Sequence, residues 1–485
     1  MEPVTPILPK FIWLLKYFKF MCQFQFVIVL VILLSGSGLY AQPGVPQPTG
    51  HQPTEPEIMI QQQVTILEQN PESVNLVKVQ LYPYLTEKSR FIFLRNCLLV
   101  SIQKSPDNRG LVELLDWDYL QQKDFGAAFN QEVALDRRGN EDGEQLMGLG
   151  SISFSNEAYP EALRAYRYVV SKGKQNKYYR EARFEILNCL NAQLGTAQAD
   201  ATSLSTLKQE YELFLAEFGR NTTTATAVLN YAVASTTLFH NPAKAISLLE
   251  EAINYPGLAP SLQAKCKLEL GDIYLTTGRL WDAALLYGQV DKSFREDPLG
   301  QEAKFRAAKI YFYSGDFALA KSQLDVLKTA TSELIANDAL DLSLLIQEHS
   351  EGDSNSSALK KYARAELLIL QNKLPQAEIS LDSISRLYPG HSLQDEILMA
   401  GYKIDLSRGQ YQLAGAKLQQ IITRYPKGIW GDDALFHLAV LDENQLKIPT
   451  EALRLYQQLI IVYPGSFYVP QARKAYRRLR GDKEF

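Results

Sequence analysis

The sequence predicts an all-α protein built from antiparallel helix pairs that stack one on the next. Residues 268–290 read LELGDIYLTTGRLWDAALLYGQV, and a similar order of small and aromatic residues returns 37 positions later. Most successive copies lie 34 to 38 residues apart, which indicates a repeat with one supersecondary unit per copy. The alanine that opens the second half of each copy marks the register: Ala128, Ala162, Ala245, Ala283, Ala320, Ala377, Ala414 and Ala452.

Each copy has the composition of two helices that pack closely. A small residue on the first helix, Gly271 or Ala308, lets the second helix approach, and glycine after the first helix permits a short turn. The opening alanine faces the first helix, and an aromatic residue or leucine follows one turn later. The two best copies align Gly271, Tyr274, Gly278, Trp281, Ala283 and Tyr287 with Ala308, Tyr311, Gly315, Phe317, Ala320 and Leu324.

Turn residues set the ends of the remaining helices. Gly409 is predicted to end a first helix, as Gly278 and Gly315 do. Proline cannot continue a helix, so it closes second helices where it follows tyrosine. These tyrosine-proline pairs end in Pro389, Pro426 and Pro464.

Two long gaps in the repeat are expected to hold further helices. Residues 178–194 and 205–218 have the apolar spacing of one more helix pair. Residues 333–349 have the spacing of one extra helix, and residues 351–357 are predicted to form the loop after it.

The residues after the last repeat are expected to close the stack. Residues 466–480 carry an apolar stripe for docking on that repeat and a basic opposite face. The stripe is Val469, Ala472, Tyr476 and Leu479, and the basic face is Arg473, Lys474, Arg477, Arg478 and Arg480. That basic face is interpreted as solvated, with attraction to anionic lipid or to an acidic partner as the alternative.

The first residues differ from the rest of the chain. Lysines, a nine-residue apolar run and then small residues follow one another in residues 1–41, the order of a secretion signal. An uncleaved membrane anchor is the alternative interpretation of this segment. Prolines make residues 42–57 a linker, so the domain prediction is a repeat array over 58–465 and a capping helix and tail over 466–485.

Bulk charge and motifs argue against several functions. The balance of 50 Lys and Arg against 54 Asp and Glu gives no global attraction for nucleic acid. Cys97, Cys189 and Cys266 lie in apolar helical stretches and are interpreted as buried small residues. The histidines lack metal-ligand spacing, and no phosphate-binding or nucleophile motif occurs. We therefore expect no enzyme activity, no cofactor and no metal.

The repeat resembles the tetratricopeptide repeat over about residues 111–465, most clearly at 264–297, 301–329, 359–389, 396–426 and 433–464. The resemblance implies a right-handed α-solenoid whose first helices line a concave face that binds proteins or extended peptides. The positions at which the chaperone-tail branch of this family clamps a carboxylate hold Leu268, Asp272, Phe305 and Tyr362, which disfavours that branch. The candidate partner-binding residues are Lys265, Glu269, Asp272, Thr276, Arg306, Lys309, Tyr313, Lys403 and His437.

Three functional hypotheses follow from the sequence. The first is an exported scaffold of a bacterial cell envelope, in the periplasm or at the outer membrane, that binds partner proteins. The second is a soluble periplasmic module that binds peptides or acts on transient clients as a chaperone. The third is an enzyme with its active site on residues 333–357. The sequence does not determine the oligomeric state or the identity of the partner.

Overall fold

A computed structural model describes residues 53–196, 200–328, 332–350 and 356–482 of the chain. The described residues form 23 α-helices and three short 3-10 helices. The predicted signal at 1–41, most of the predicted linker at 42–57 and most of the predicted loop at 351–357 lie outside the described residues. The chain divides into two compact units, with the boundary between Glu217 and Phe218.

The N-terminal unit has two successive hydrophobic cores. Ile60, Leu98 and Leu114 belong to the first core, which the first four helices share. Ala162 and Tyr166 belong to the second core, which the following four helices share. The helices are α1 (Glu55–Gln69), α2 (Val74–Leu81), α3 (Lys88–Lys104), α4 (Arg109–Gln121), α5 (Phe125–Gly139), α6 (Glu144–Ser155), α7 (Tyr159–Ser171), α8 (Tyr179–Thr196) and α9 (Ala201–Phe218).

Helices α8 and α9 confirm the helix pair that the first long gap predicts. The rings of Phe184 and Phe214 lie 6.2 Å apart between the two helices. Arg183 on α8 also approaches Glu210 on α9 at 3.5 Å. Aromatic packing and an ion pair therefore join these helices, although the pair lacks the opening alanine of the other copies.

The C-terminal unit contains six helix pairs, one inserted helix and one terminal helix. Its pairs are α10 with α11, α12 with α13, α14 with α15, α17 with α18, α19 with α20, and α21 with α22. Their bounds are α10 (Ala225–Thr237), α11 (Pro242–Ala252), α12 (Pro260–Thr277), α13 (Leu280–Ser293), α14 (Pro298–Ser314), α15 (Phe317–Leu327), α16 (Glu333–Ser350), α17 (Ser357–Leu370), α18 (Leu374–Leu387), α19 (Gln394–Ser407), α20 (Tyr411–Arg424), α21 (Gly431–Asn444), α22 (Pro449–Val462) and α23 (Val469–Arg480).

Packing within the pairs follows the predicted chemistry. Gly278 and Gly315 end α12 and α14 with φ of 95° and 82°, a conformation that glycine adopts without strain. A Cβ at Gly271 would lie 2.9 Å from Cζ of the buried Tyr287 ring, closer than two carbon atoms can pack, so glycine is required there. The predicted opening alanines are all buried: Ala128, Ala162, Ala245, Ala283, Ala320, Ala377, Ala414 and Ala452.

The inserted helix α16 separates two helix pairs along the chain. It packs on α15, but α17 packs on α14 and lies across the ends of α12 and α14. At one end of α17, Lys360 lies against Gly315, and after its other end the Gln371 amide donates to the Leu275 carbonyl at 3.2 Å. The extra helix predicted at 333–349 is thereby confirmed.

Helix α23 docks on the last pair as predicted. Ala472 is buried in the core that α19 to α22 share, and Tyr476 and Leu479 pack against that core. Arg478 of the basic face pairs with Glu443 on α21, and Tyr456 also donates to Glu443 at 3.0 Å. Glu443 departs from the aromatic residue usual at its place, and it anchors the terminal helix instead.

Two local predictions are wrong. Helix α1 begins at Glu55, inside the predicted linker, because Pro56 falls in the first turn, where its missing N–H is not needed. The Glu57 carboxylate accepts the Thr54 backbone N–H at 2.7 Å and stabilises this start. The alignment of Trp281 with Phe317 is displaced by one residue, since Phe317 is buried and Trp281 is 62% exposed.

Candidate binding surface

The first helices of successive pairs in the C-terminal unit lie side by side. Helix α12 packs on α14, α14 packs on α17, and α17 packs on α19. The rings of Tyr402 on α19 and His437 on α21 lie 5.7 Å apart and continue the row. We call the polar surface of α12, α14, α17, α19 and α21 from Asp272 to His437 the first-helix face.

One end of the first-helix face is an ion-pair cluster. Arg306 Nη1 lies 2.6 Å from Asp272 Oδ2, and Arg306 Nη2 lies 2.7 Å from Glu302 Oε1. The Tyr287 hydroxyl donates to the other oxygen of Asp272 at 2.6 Å. Asp272 and Arg306 therefore join α12, α13 and α14, and a partner that bound either residue would compete with these bonds.

Two lysines converge on one glutamate in the middle of the face. Lys403 Nζ lies 3.3 Å from both oxygens of Glu366 and 5.6 Å from the centre of the Trp430 ring. Lys309 Nζ lies 5.9 Å from the centre of the Phe305 ring. The interaction with Tyr313 raises the pKa of Lys309, and Glu366 raises it further. Desolvation of the ammonium group acts in the opposite direction but is the smaller effect. Lys309 is thus a cation near neutral pH.

His437 lies among aromatic rings at the far end of the face. The centres of the Phe436 and Tyr468 rings are each 5.9 Å from the centre of its imidazole. Burial, together with the positive charge of Lys403, lowers the pKa of His437 to about 4. The imidazole is therefore neutral at physiological pH and offers a hydrogen bond rather than a charge.

The inserted helix α16 adds an acidic edge to the face. Burial, reinforced by Asp338, raises the pKa of Asp341 to about 6. Burial also raises the pKa of Asp433, on α21, to about 7, although this carboxylate accepts the Tyr468 hydroxyl at 2.8 Å. Among the described residues, neither Asp338 nor Asp341 has a hydrogen-bond or ion-pair partner, and both are exposed.

The other end of α16 is fixed to α19. His349 Nδ1 lies 2.6 Å from Ser392 Oγ, and Nε2 lies 3.0 Å from Glu396 Oε1. Both His349 and Glu396 are buried, and burial lowers the pKa of His349. These bonds hold the acidic residues of α16 at the edge of the first-helix face.

The structure brings together most of the sequence-predicted residues. Asp272 pairs with Arg306. Glu366 pairs with Lys403 and also acts electrostatically on Lys309, which interacts with Tyr313. The charge of Lys403 in turn acts on His437. Glu269 contributes negative charge near Arg306. Lys265 is exposed on α12, and the Thr276 hydroxyl donates to the Ile273 carbonyl of its own helix at 2.9 Å.

Sequence reasoning missed the residues that connect the candidates. Glu366 lies one turn after Tyr362 on a predicted first helix, and this spacing could have indicated it. Asp338 and Asp341 lie on α16, and the repeat spacing does not indicate which helices α16 packs against. Asp433 lies in the first turn of α21, where a carboxylate favours the start of a helix, and this position alone does not mark it as part of a surface.

The structure also bears on metal binding, membranes and thiol chemistry. In the described part of the chain, no group of three His, Cys, Asp or Glu side chains is arranged to hold a metal ion. Within the same residues, every helix is too short or too polar to cross a bilayer. Burial raises the pKa of Cys97 to about 11 and those of Cys189 and Cys266 to about 12, as expected for thiols that pack as apolar groups.

A known protein family matches the chain at its last helix pair. Residues 433–466, which cover all of α22 and all but the first two residues of α21, match the family model of the tetratricopeptide repeat. Repeats of this class are generally non-catalytic and build surfaces for binding other proteins. No curated protein matches the chain.

Solved structures with similar helix arrangements are distant. A tetratricopeptide repeat protein from Parabacteroides merdae ATCC 43184 is 11% identical, with a TM-score of 0.23, over 70% of this chain and 99% of that chain. The P58(IPK) TPR domain is also 11% identical, with a TM-score of 0.23, over 87% and 97%. The human IFIT1 dimer with PPP-AAAA is 12% identical, with a TM-score of 0.31, over 88% and 95%. Scores this low do not define a common arrangement of the repeats.

Proposed function

We propose that the chain is an exported scaffold of the bacterial cell envelope that binds partner proteins or extended peptides on its first-helix face. The observation that carries the proposal is the pair of exposed carboxylates on α16, Asp338 and Asp341. Among the described residues they form no salt bridge, although the charge of Lys309 acts on Asp338, and they lie beside charges of the face that are paired with one another. Mixed charge of this kind selects a protein partner rather than a polyanion. The signal-like order of residues 1–41 supports export.

The electrostatics of Asp341 favour a cationic group from the partner. Burial and the neighbouring Asp338 make ionisation of Asp341 costly, which the raised pKa expresses. A lysine or arginine of a partner would offset that cost and lower the pKa again. Binding should therefore release a proton and tighten as the pH rises from about 5 to about 7.

A matched pair of charge reversals tests the surface. Asp341→Lys reverses an exposed charge at the acidic edge that α16 adds to the first-helix face, and Asp382→Lys reverses an exposed charge on α18, a second helix. Within the described part of the chain neither substitution removes a salt bridge, unlike a reversal at Arg306. Each variant is purified with its partners from the native envelope after crosslinking, and mass spectrometry identifies the partners.

We expect Asp341→Lys to lose partners that Asp382→Lys retains. Equal recovery by both variants would contradict binding on the first-helix face. A defined, stoichiometric set of partners supports a scaffold, and many weakly held clients support the chaperone-like alternative. The same spectra report the mature N-terminus, where a start near Gln42 supports cleavage and an intact Met1 contradicts it.

A further inference from the structure

A second surface lies outside the first-helix face, where α17 crosses the turn between α12 and α13. Residues 278–282 form one wall of a cleft there, and Arg364, Leu367, Gln371 and Lys373 form the other. The volume of the cleft is about 440 Å³. The hydrogen bond from Gln371 to the Leu275 carbonyl ties the second wall to the end of α12.

Trp281 in this cleft has no role in helix packing. Its side chain is 62% exposed, and Leu285, one turn later on the same face of α13, is 63% exposed. The position two residues before the opening alanine does not require a large apolar side chain in any other copy. The residues there are Gly126, Pro160, Ala243, Ala318, Pro375, Gln412 and Thr450.

The charges around Trp281 are mainly positive. Arg279, Arg364 and Lys373 line the cleft against one acidic residue, Asp282. Arg279 is held in place, since it donates to Asp282 at 2.7 Å and lies 3.7 Å from the centre of the Tyr274 ring. Arg364 is exposed and has no ion-pair partner among the described residues.

The geometry points to a docking site for an acidic peptide segment that carries one large apolar side chain. Trp281 and Leu285 provide the apolar contact, because exposed tryptophan beside arginine is typical of interface hot spots. Arg364 and Lys373 complement carboxylates that flank the apolar side chain. This site is separate from the first-helix face and does not depend on the function proposed for that face.

Peptide binding to the purified full chain tests the site. The probe is a short fluorescein-labelled peptide of Glu and Asp around one central Phe. The comparison probes replace the acidic residues by Lys and Arg, or the Phe by Gly. Fluorescence anisotropy should show saturable binding of the first probe only, weakening as the salt concentration rises.

Two variants and two controls locate the binding. Trp281→Ala and Arg364→Glu should each weaken binding about tenfold or more, because hot-spot truncations cost ~2 kcal/mol. Leu413→Ala and Arg386→Glu remove an exposed leucine and an exposed arginine elsewhere and should leave the affinity unchanged. Circular dichroism checks that each variant is folded.

Three results would overturn the inference. The acidic probe could fail to saturate at concentrations up to about 1 mM, which corresponds to only ~4 kcal/mol of binding. The basic probe could bind equally well, or the control variants could lose as much affinity as the cleft variants.

Discussion

The close approach of two helices at Gly271 provides the sharpest test of the packing. A Cβ at this position would stand 2.9 Å from Tyr287 Cζ and 3.0 Å from Cδ1, and closer still to Cε1. The Tyr287 ring is fully buried and its hydroxyl donates to Asp272, so the ring cannot move aside freely. Gly288 on α13 is a matched control, because its Cβ would meet no atom within 4 Å.

Gly271→Ala and Gly288→Ala should change the free energy of unfolding in opposite directions. Alanine gains up to ~1 kcal/mol of helix propensity over glycine in either helix. Overpacking at Gly271 costs ~2–3 kcal/mol, so Gly271→Ala should lower the free energy of unfolding by about 1–2 kcal/mol. Gly288→Ala should raise it by up to ~1 kcal/mol. Urea unfolding followed by circular dichroism measures both.

A double-mutant cycle separates the steric effect from other causes. In the neighbouring pair, Ala308 and Leu324 occupy the places of Gly271 and Tyr287, and both are buried. In a Tyr287→Leu background, Gly271→Ala should therefore be neutral or stabilising. Equal stabilisation by Gly271→Ala and Gly288→Ala in the wild-type background would refute the account of this helix pair.

Three further predictions concern charge and thiols. Burial raises the pKa of Asp433 to about 7 from a usual value near 4, so the native state favours the protonated acid and stability falls as the pH rises from about 4 to about 7. Asp433→Asn should remove ~2–3 kcal/mol of the fall between pH 5 and pH 8, measured by urea unfolding at these two pH values; parallel pH profiles of the variant and the wild type would contradict this. Arg95→Met should destabilise the N-terminal unit by ~2–4 kcal/mol at pH 8, because Arg95 Nε lies 2.8 Å from the fully buried Asp118. Asp118→Asn in the same background should restore part of the loss. Full stability of the single variant would count against a structural role for the pair. Cys189 and Cys266 should react with a thiol reagent at pH 8 only as fast as the chain unfolds, since burial raises both pKa values to about 12; rapid labelling of the native protein would show that they are accessible.

Local features of the fold could be predicted from the sequence. Ala283 and Ala320 are buried at the predicted register, and Gly278 ends its helix with positive φ, because each depends on residues within one or two turns. Helices α18, α20 and α22 also end one residue before the tyrosine that precedes proline, as predicted. The spacing of residues within one copy of the repeat is therefore enough to predict these burials and helix ends.

The arrangement beyond each pair could not be predicted in the same way. The bond between Gln371 and Leu275 joins residues 96 positions apart, and no repeat spacing indicates it. The acidic edge at Asp341 depends on where α16 packs, and that helix has no counterpart in the other copies. The one-residue error at Trp281 arose because the alignment matched two aromatic residues. Leu280 and Phe317 each begin the second helix two residues after the glycine, so Trp281 corresponds to Ala318.

Site-specific crosslinking in living cells tests the central claim most directly. A photoreactive amino acid is placed at Asp341 on the first-helix face and, separately, at Asp382 on α18, and mass spectrometry identifies the crosslinked proteins. Binding on the first-helix face predicts a defined set of envelope proteins captured at Asp341 and absent at Asp382. The same proteins at both positions, or only background at Asp341, would contradict it.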